Sequence, residues 1–305
     1  MIRPFFYCSE LSRQAAENHC GTASTSDVWV LLEYTQAWGA KALADSNLSV
    51  AVKTHLIAGI RSIPNARLLF IKQGRTAKSH LKLFVVRASE RAPFIVEFEL
   101  ESYEQLLKVD LAAAAAGDAS RGVIKRGPLF LVCTHGRHDK CCAKFGYALY
   151  KSLRAAGHDN VWQSSHVGGD RFAANLVCFP HGLFYGHVTE AAGQMIVGEY
   201  AAGRLVLDGY RGRACYSHAV QSAEFFIRCE SGLKGLDELR CSERQRVSEN
   251  SWRVQFAARD GRSIHEAQVT GEQSPFQNYI TCHSIEEQSV VQYTLDSYSV
   301  ALRLD

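Results

Sequence analysis

The chain has 305 residues, of which 47% are apolar and 21% charged, with a net charge of +3. That is an ordinary globular composition, long enough for more than one folding unit. Acids and bases are interspersed, which argues against a nucleic-acid stripe or a basic membrane patch. The opening MIRPFFYCSE lacks the apolar run and cleavage site of a signal peptide, and no stretch approaches the length needed to span a bilayer. A cytoplasmic protein, bound to neither nucleic acid nor membrane, is expected.

In chain order, a turn-rich lead over residues 8–27 precedes VWVLLEY at 28–34, an apolar, β-favouring run. The loop TQAWG and helical stretches at 40–43 and 49–63 follow. RLLFIKQ (67–73), LKLFVVR (81–87) and FIVEFEL (94–100) read as strands. SYEQLLKVDLAAAAAG, residues 102–117, reads as a helix capped by Ser102 and stopped by Gly117. After a linker at 118–128, PLFLVCTH predicts a strand. CCAKFGYALYKSLRAAG predicts a helix ending at Gly157, and NVWQSSH another strand. LVCFPHG and LFYGHVT predict a hairpin turning at His181–Gly182, and TEAAGQMIVGEYAAG a helix with Thr189 as cap. The two parts repeat one order: strand, helix, strand, two paired strands, helix. Residues 1–120 and 127–203 are therefore read as two related α/β units compatible with a thioredoxin-like fold. Residues 204–305 form a C-terminal α+β extension, with a helix at 217–228 and strands at SWRVQFAAR and QNYITCHS.

Ten cysteines in a cytosolic chain point to buried thiols, metal ligation or redox chemistry rather than to disulfides. Cys133, Cys141, Cys142 and Cys178 fall in one stretch, together with six of the twelve histidines. Cys133 ends a predicted strand and Cys142 begins the next helix, whose free N–H groups favour a thiolate. His166 ends the following strand. In a parallel strand–helix–strand unit its strand end lies beside that of Cys133.

CTHGRHDKCC followed by HVGGDRFAANLVCFPHGLFYG resembles the sucrase/ferredoxin-like family, which belongs among the thioredoxin-like ferredoxins. YCSELSRQAAENHCGTAS, TQAWGAKAL and RGRACYSHAVQSAEF are also similar to bacterial members. The resemblance implies a [2Fe–2S] cluster with Cys133 and Cys142 (C-x8-C) as one ligand pair. The second pair is His166 and the residue four later, Asp170, where the fungal pattern H-V-G-G-H has a second histidine. Thiolate and imidazole are the usual ligands of such clusters and a carboxylate is uncommon. Asp170 is thus a ligand or a helix N-cap, with Cys141, Cys178, Cys8 and Cys20 as other candidates for the fourth position. His135 and His138 would tune or shield the cluster. Arg137, Lys140 and Arg171 either offset its charge or form a solvated basic loop. Cys178, Cys215 and Cys229 read as small buried hydrophobes.

The expected function is single-electron transfer between redox partner proteins, at a potential between those of two-histidine and four-cysteine centres. A thiol oxidoreductase on Cys133 or the Cys141–Cys142 pair, or a zinc site on the same residues, are the alternatives. C-x-x-C, glycine-rich nucleotide loops and a paired-carboxylate arrangement for glycoside hydrolysis are absent from the sequence.

Overall fold

The apolar run that opens the first part forms strand β1 (Val28–Glu33), buried along its whole length. Its alternate residues serve two cores. Val28, Val30 and Leu32 pack into one, and Trp29 and Leu31 into the other. The computed structural model describes residues 6–74 and 80–302; the first five residues of the opening segment read for a leader lie outside them. Helix α1 (Cys8–Gln14) forms where a turn-rich lead is expected. It is followed, after β1, by α2 (Val50–Ser62), whose cap Ser49 accepts a hydrogen bond from the Val52 N–H. Residues 40–43 are a turn and not helical.

Strands β2 (Ala66–Lys72), β3 (Leu81–Arg87) and β4 (Phe94–Leu100) complete the first quartet. β2 runs parallel to β1, β3 pairs with β1 antiparallel, and β4 with β3. The second quartet is β6 (Leu129–Cys133), β7 (Val161–Ser164), β8 (Leu176–Phe179) and β9 (Leu183–Tyr185), with the short β5 (Val123–Ile124) before it in the expected linker. Its pairing repeats the first: β7 parallel to β6, β8 antiparallel to β6, β9 antiparallel to β8. The quartets join where Ile71 and Lys72 pair antiparallel with Ser164 and Gln163. With β5 on one edge and β10 (Tyr210–Arg213) on the other, they make a ten-stranded mixed sheet.

In the sheet, β1 and β8 are four positions apart, about 19 Å if flat. Yet the ring of Trp29 lies 5.6 Å from that of Phe179 and 5.7 Å from that of Phe184. The sheet therefore curls, and one face of both quartets packs against itself without a covering helix. α2 and α3 (Leu111–Ala115) cover the outer face of the first quartet. α4 (Tyr147–Ala155) and α5 (Glu190–Ala201) cover that of the second. Two helix expectations are corrected in detail. Residues 102–117 form a 3-10 turn (Tyr103–Lys108) and then α3, which is capped by Asp110 and not by Ser102. Ahead of α4, Cys142–Gly146 is π-helical. Thr189 caps α5 as expected, accepting from the Ala192 N–H at 3.2 Å.

Beyond β10, α6 (His218–Ser231) packs on an antiparallel sheet of β11 (Leu239–Arg246), β12 (Ser251–Ala258), β13 (Ser263–Gln273) and β14 (Val291–Leu302). QNYITCHS is irregular rather than a strand, and lies in the loop between β13 and β14. Its position lets Cys282 reach the loop after β6.

Candidate metal centre

Cys133 is the last residue of β6, and its carbonyl lies where a Cβ on Gly146 would sit, 1.9 Å away. Only glycine allows the π-helical turn to approach this closely. That approach brings Cys142, at the start of the turn, against Cys133 in one buried core. Contact with Cys142 lowers the pKa of Cys133 well below that of an ordinary thiol, against burial and with help from His166. The Cys142 thiol is pushed up by its contact with Cys133 and by burial.

The segment HVGGD supplies the other side. Gly168 and Gly169 both have left-handed backbone angles, φ +102° and +81°. A Cβ on Gly168 would strike the Ser24 hydroxyl, and one on Gly169 the Arg211 guanidinium. Arg211, fully buried, donates to the Asn175 side chain at 2.7 Å, the Gly168 carbonyl at 3.1 Å and the Thr22 hydroxyl at 3.0 Å. It ties the loop to the N-terminal segment. His135 sets the other end. Its Nε2 donates to the Gly39 carbonyl at 2.7 Å, and its Nδ1 accepts from the His166 N–H at 3.3 Å. Trp38, of the TQAWG loop, packs edge-on against its ring.

With its loop so held, Asp170 is not the N-cap. Gly169 occupies the cap position of the short 3-10 turn Asp170–Phe172, and the buried carboxylate faces the histidines. Its Oδ1 lies 3.1 Å from His166 Nδ1 and accepts from the Cys142 thiol at 3.4 Å; its Oδ2 lies 3.7 Å from His138 Nε2. The His138 ring stacks on His166 with centroids 3.8 Å apart. The result is two overlapping groups of potential ligand atoms, each within 4.8 Å: Cys133, Cys142 and His166, and His138, His166 and Asp170. Burial works to lower the His166 pKa, but Asp170 and Cys133 beside the ring push it up to about 9. Asp170 is held below the usual carboxylate range despite its burial, chiefly by His166.

Among the described residues, three buried side-chain nitrogen or oxygen atoms lack a hydrogen-bond partner, and two of them are here: His166 Nδ1 and Ser164 Oγ. The His166–Asp170 approach is thus an ion-pair distance without hydrogen-bond geometry. Ser164 is paired in register with Cys133, so its hydroxyl leaves the sheet on the same face. Buried polar atoms are rarely left orphaned unless an unseen group satisfies them. Two thiols, an imidazole and a carboxylate are a donor set that fits a metal ion or an iron–sulfur cluster.

The other sequence candidates go elsewhere. Cys178 is a buried hydrophobe of the α4–α5 core, and Cys20 packs under α6. Cys215 is partly buried in the same region, whereas Cys229 is exposed, contrary to expectation. Arg171 does not serve the cysteines: its Nε is 2.6 Å from the buried Glu17 carboxylate. Cys141, although adjacent to Cys142, joins Cys8 in a second group with Asp139 and Cys282. Arg211 was legible only as part of RGRAC, and nothing in local spacing singles out Asp139 or Cys282.

Behind the loop, His19 and His187 contact each other at 3.0 Å, and His187 Nε2 donates to the Arg171 carbonyl at 2.8 Å. Burial, aided by neighbouring arginines, lowers the pKa of His19 to about 4 and that of His187 to about 3. Burial and Arg213 lower His181 to about 4. Since the unfolded chain binds these protons at about pH 6.5, the stability they contribute is complete above that pH. It is lost as pH falls towards 4. The urea midpoint of the metal-free chain will therefore fall between pH 7 and pH 5, and less so in His187→Asn. Equal midpoints at both pH values would contradict this.

The chain belongs to the sucrase/ferredoxin-like family, whose model matches residues 19–212 and so includes both loops of the site. It is 33% identical over 95 residues to "Altered inheritance of mitochondria protein 32" of the yeast Meyerozyma guilliermondii. That match covers 28% of this chain and 34% of the yeast protein, so the chain spans about a third of its relative. No solved structure matches. Among the described residues no helix is long and apolar enough to cross a membrane.

Proposed function

We propose that this chain is a cytoplasmic electron carrier that holds a [2Fe–2S] cluster through Cys133, Cys142, His166 and Asp170. The observation that carries the reading is the pair of orphaned buried atoms, His166 Nδ1 and Ser164 Oγ, beside the buried thiols of Cys133 and Cys142. Family membership supports it. The repeated pairing of the two strand quartets is compatible with two thioredoxin-like units, the second bearing the site.

A bound cluster would supply one-electron chemistry. The protein's own residues do the rest. Cys133 and Cys142 are buried away from solvent, while His166 and His138 keep 22% and 38% of their side chains exposed. Both histidines line a groove of about 410 Å³, whose rim carries Lys41, Lys53 and Arg67. The imidazole edge is thus the way in and out for an electron, and the cationic rim suits a redox partner with an acidic face.

Protein purified without oxygen from cells competent in cluster assembly will be brown, with two irons and two sulfides per chain. Cys133→Ser and His166→Ala will lose most of the iron. A colourless wild type that holds zinc at these residues, or an iron-free chain active in thiol–disulfide exchange, would replace the proposal.

A further inference from the structure

The adjacent cysteines Cys141 and Cys142 serve different neighbourhoods. Cys142 joins the centre described above. Cys141 meets Cys8 of α1 and Cys282 of the loop between β13 and β14. The three sulfurs form a triangle with sides of 3.2 Å (Cys141–Cys282), 3.6 Å (Cys8–Cys141) and 3.6 Å (Cys8–Cys282). All three cysteines are free and buried. None of these separations is a disulfide, which needs about 2.05 Å. They are close to the about 3.8 Å expected between thiolates on a tetrahedral ion with bonds of about 2.3 Å.

Asp139 completes the group. It is fully buried, and its Oδ2 lies 4.0 Å from Cys8 Sγ. Its two oxygens accept from the backbone N–H groups of Cys141 at 2.8 Å and Cys282 at 2.7 Å. One carboxylate thereby orients two of the three thiols, and each oxygen keeps a lone pair for a fourth bond. The three sulfurs come from positions 8, 141 and 282, segments that no local spacing relates. Three thiols and a buried carboxylate brought together at one point make a four-donor set of the kind that a tetrahedral structural zinc ion takes.

We propose that Cys8, Cys141, Cys282 and Asp139 form a structural zinc site, separate from the centre at Cys133. Binding would exchange three thiol protons for one Zn²⁺, with no change of oxidation state. The ion would staple α1 and the C-terminal loop to the loop that follows β6.

The test is elemental analysis of the full-length protein, as isolated and after addition of zinc alone, with Cys8→Ser and Cys282→Ser beside Cys133→Ser. Wild type should hold one zinc per chain in addition to any iron. Cys8→Ser and Cys282→Ser should lower zinc affinity at least tenfold and leave iron content unchanged; Cys133→Ser should do the reverse. In case the serine variants fail to fold, alkylation of wild type with and without zinc is mapped by peptide mass. Protection confined to Cys8, Cys141 and Cys282 supports the site. Zinc binding unchanged in both variants, iron lost with Cys8 or Cys282 while Cys133→Ser keeps it, or a metal-free chain carrying a Cys141–Cys282 disulfide would each overturn it.

Discussion

Replacing Asp170 by histidine will raise the midpoint potential of the loaded protein by on the order of 100 mV. Two-histidine centres lie at about −150 to +300 mV against about −400 mV for plant-type four-cysteine ones, because a neutral imidazole leaves the centre less negative than an anionic ligand does. In the proposed ligand set Asp170 supplies such an anion: His166, and His138 behind it, hold its carboxyl below the usual carboxylate range in spite of burial. The substitution also recreates the spacing of two histidines four residues apart, with Gly168 and Gly169 between them to make the turn. Asp170→Asn, which removes the charge and nearly keeps the shape, should shift the potential in the same direction. A spectroelectrochemical titration decides. A potential unmoved in both variants, with the cluster retained, would remove Asp170 from the ligand set.

Glu224→Ala will destabilise the fold by about 3–5 kcal/mol, the cost of stranding buried charge once its partner is removed. The carboxylate of Glu224 is fully buried between two arginines that are themselves almost inaccessible. Its Oε1 lies 3.0 Å from Arg213 Nε and 3.1 Å from Arg228 Nε, and its Oε2 accepts from the Tyr210 hydroxyl at 2.9 Å. Burial alone would raise its pKa, but the two guanidinium groups lower it. Arg228 also donates to the carbonyls of Leu233 at 2.9 Å and Gly235 at 3.0 Å. The network thus locks α6 to β10 and to the approach of the second sheet. Urea denaturation of wild type and variant measures the effect, and a change under 1 kcal/mol would mean that water reaches the arginines. Of the motif RGRACYSHAVQSAEF, seen in the sequence only as a likeness to relatives, Arg213 and Glu224 belong to this network, whereas Arg211 turns instead towards the HVGGD loop.

The apolar runs and their interruptions sufficed for the strands of both quartets, for α2, α5 and α6, and for the hairpin of β8 and β9. Each is a local pattern with a cap or turn residue at its end. The pairing of Cys133, Cys142 and His166 was legible for a similar reason. A strand end, a helix start and the next strand end fall together in any parallel strand–helix–strand unit. Where local signals compete, the reading fails. Ser102 and Asp110 both resemble caps, and the structure uses Asp110 because the chain bends after Lys108. QNYITCHS alternates like a strand but pairs with nothing regular, since its backbone is spent placing Cys282.

By itself the sequence determined most of the elements, which follow from periodicity, and the family likeness and three central ligand candidates, which follow from short motifs and their spacing. Only the tertiary structure decided that Asp170 faces the histidines and does not cap a helix. The same holds for His138 stacking on His166, for Arg211 bracing the loop, and for Cys141 turning away from Cys142 to meet Cys8 and Cys282. Those facts depend on contacts between residues as many as 274 positions apart. Contacts of that kind exist only once the sheet has curled and the second sheet has docked.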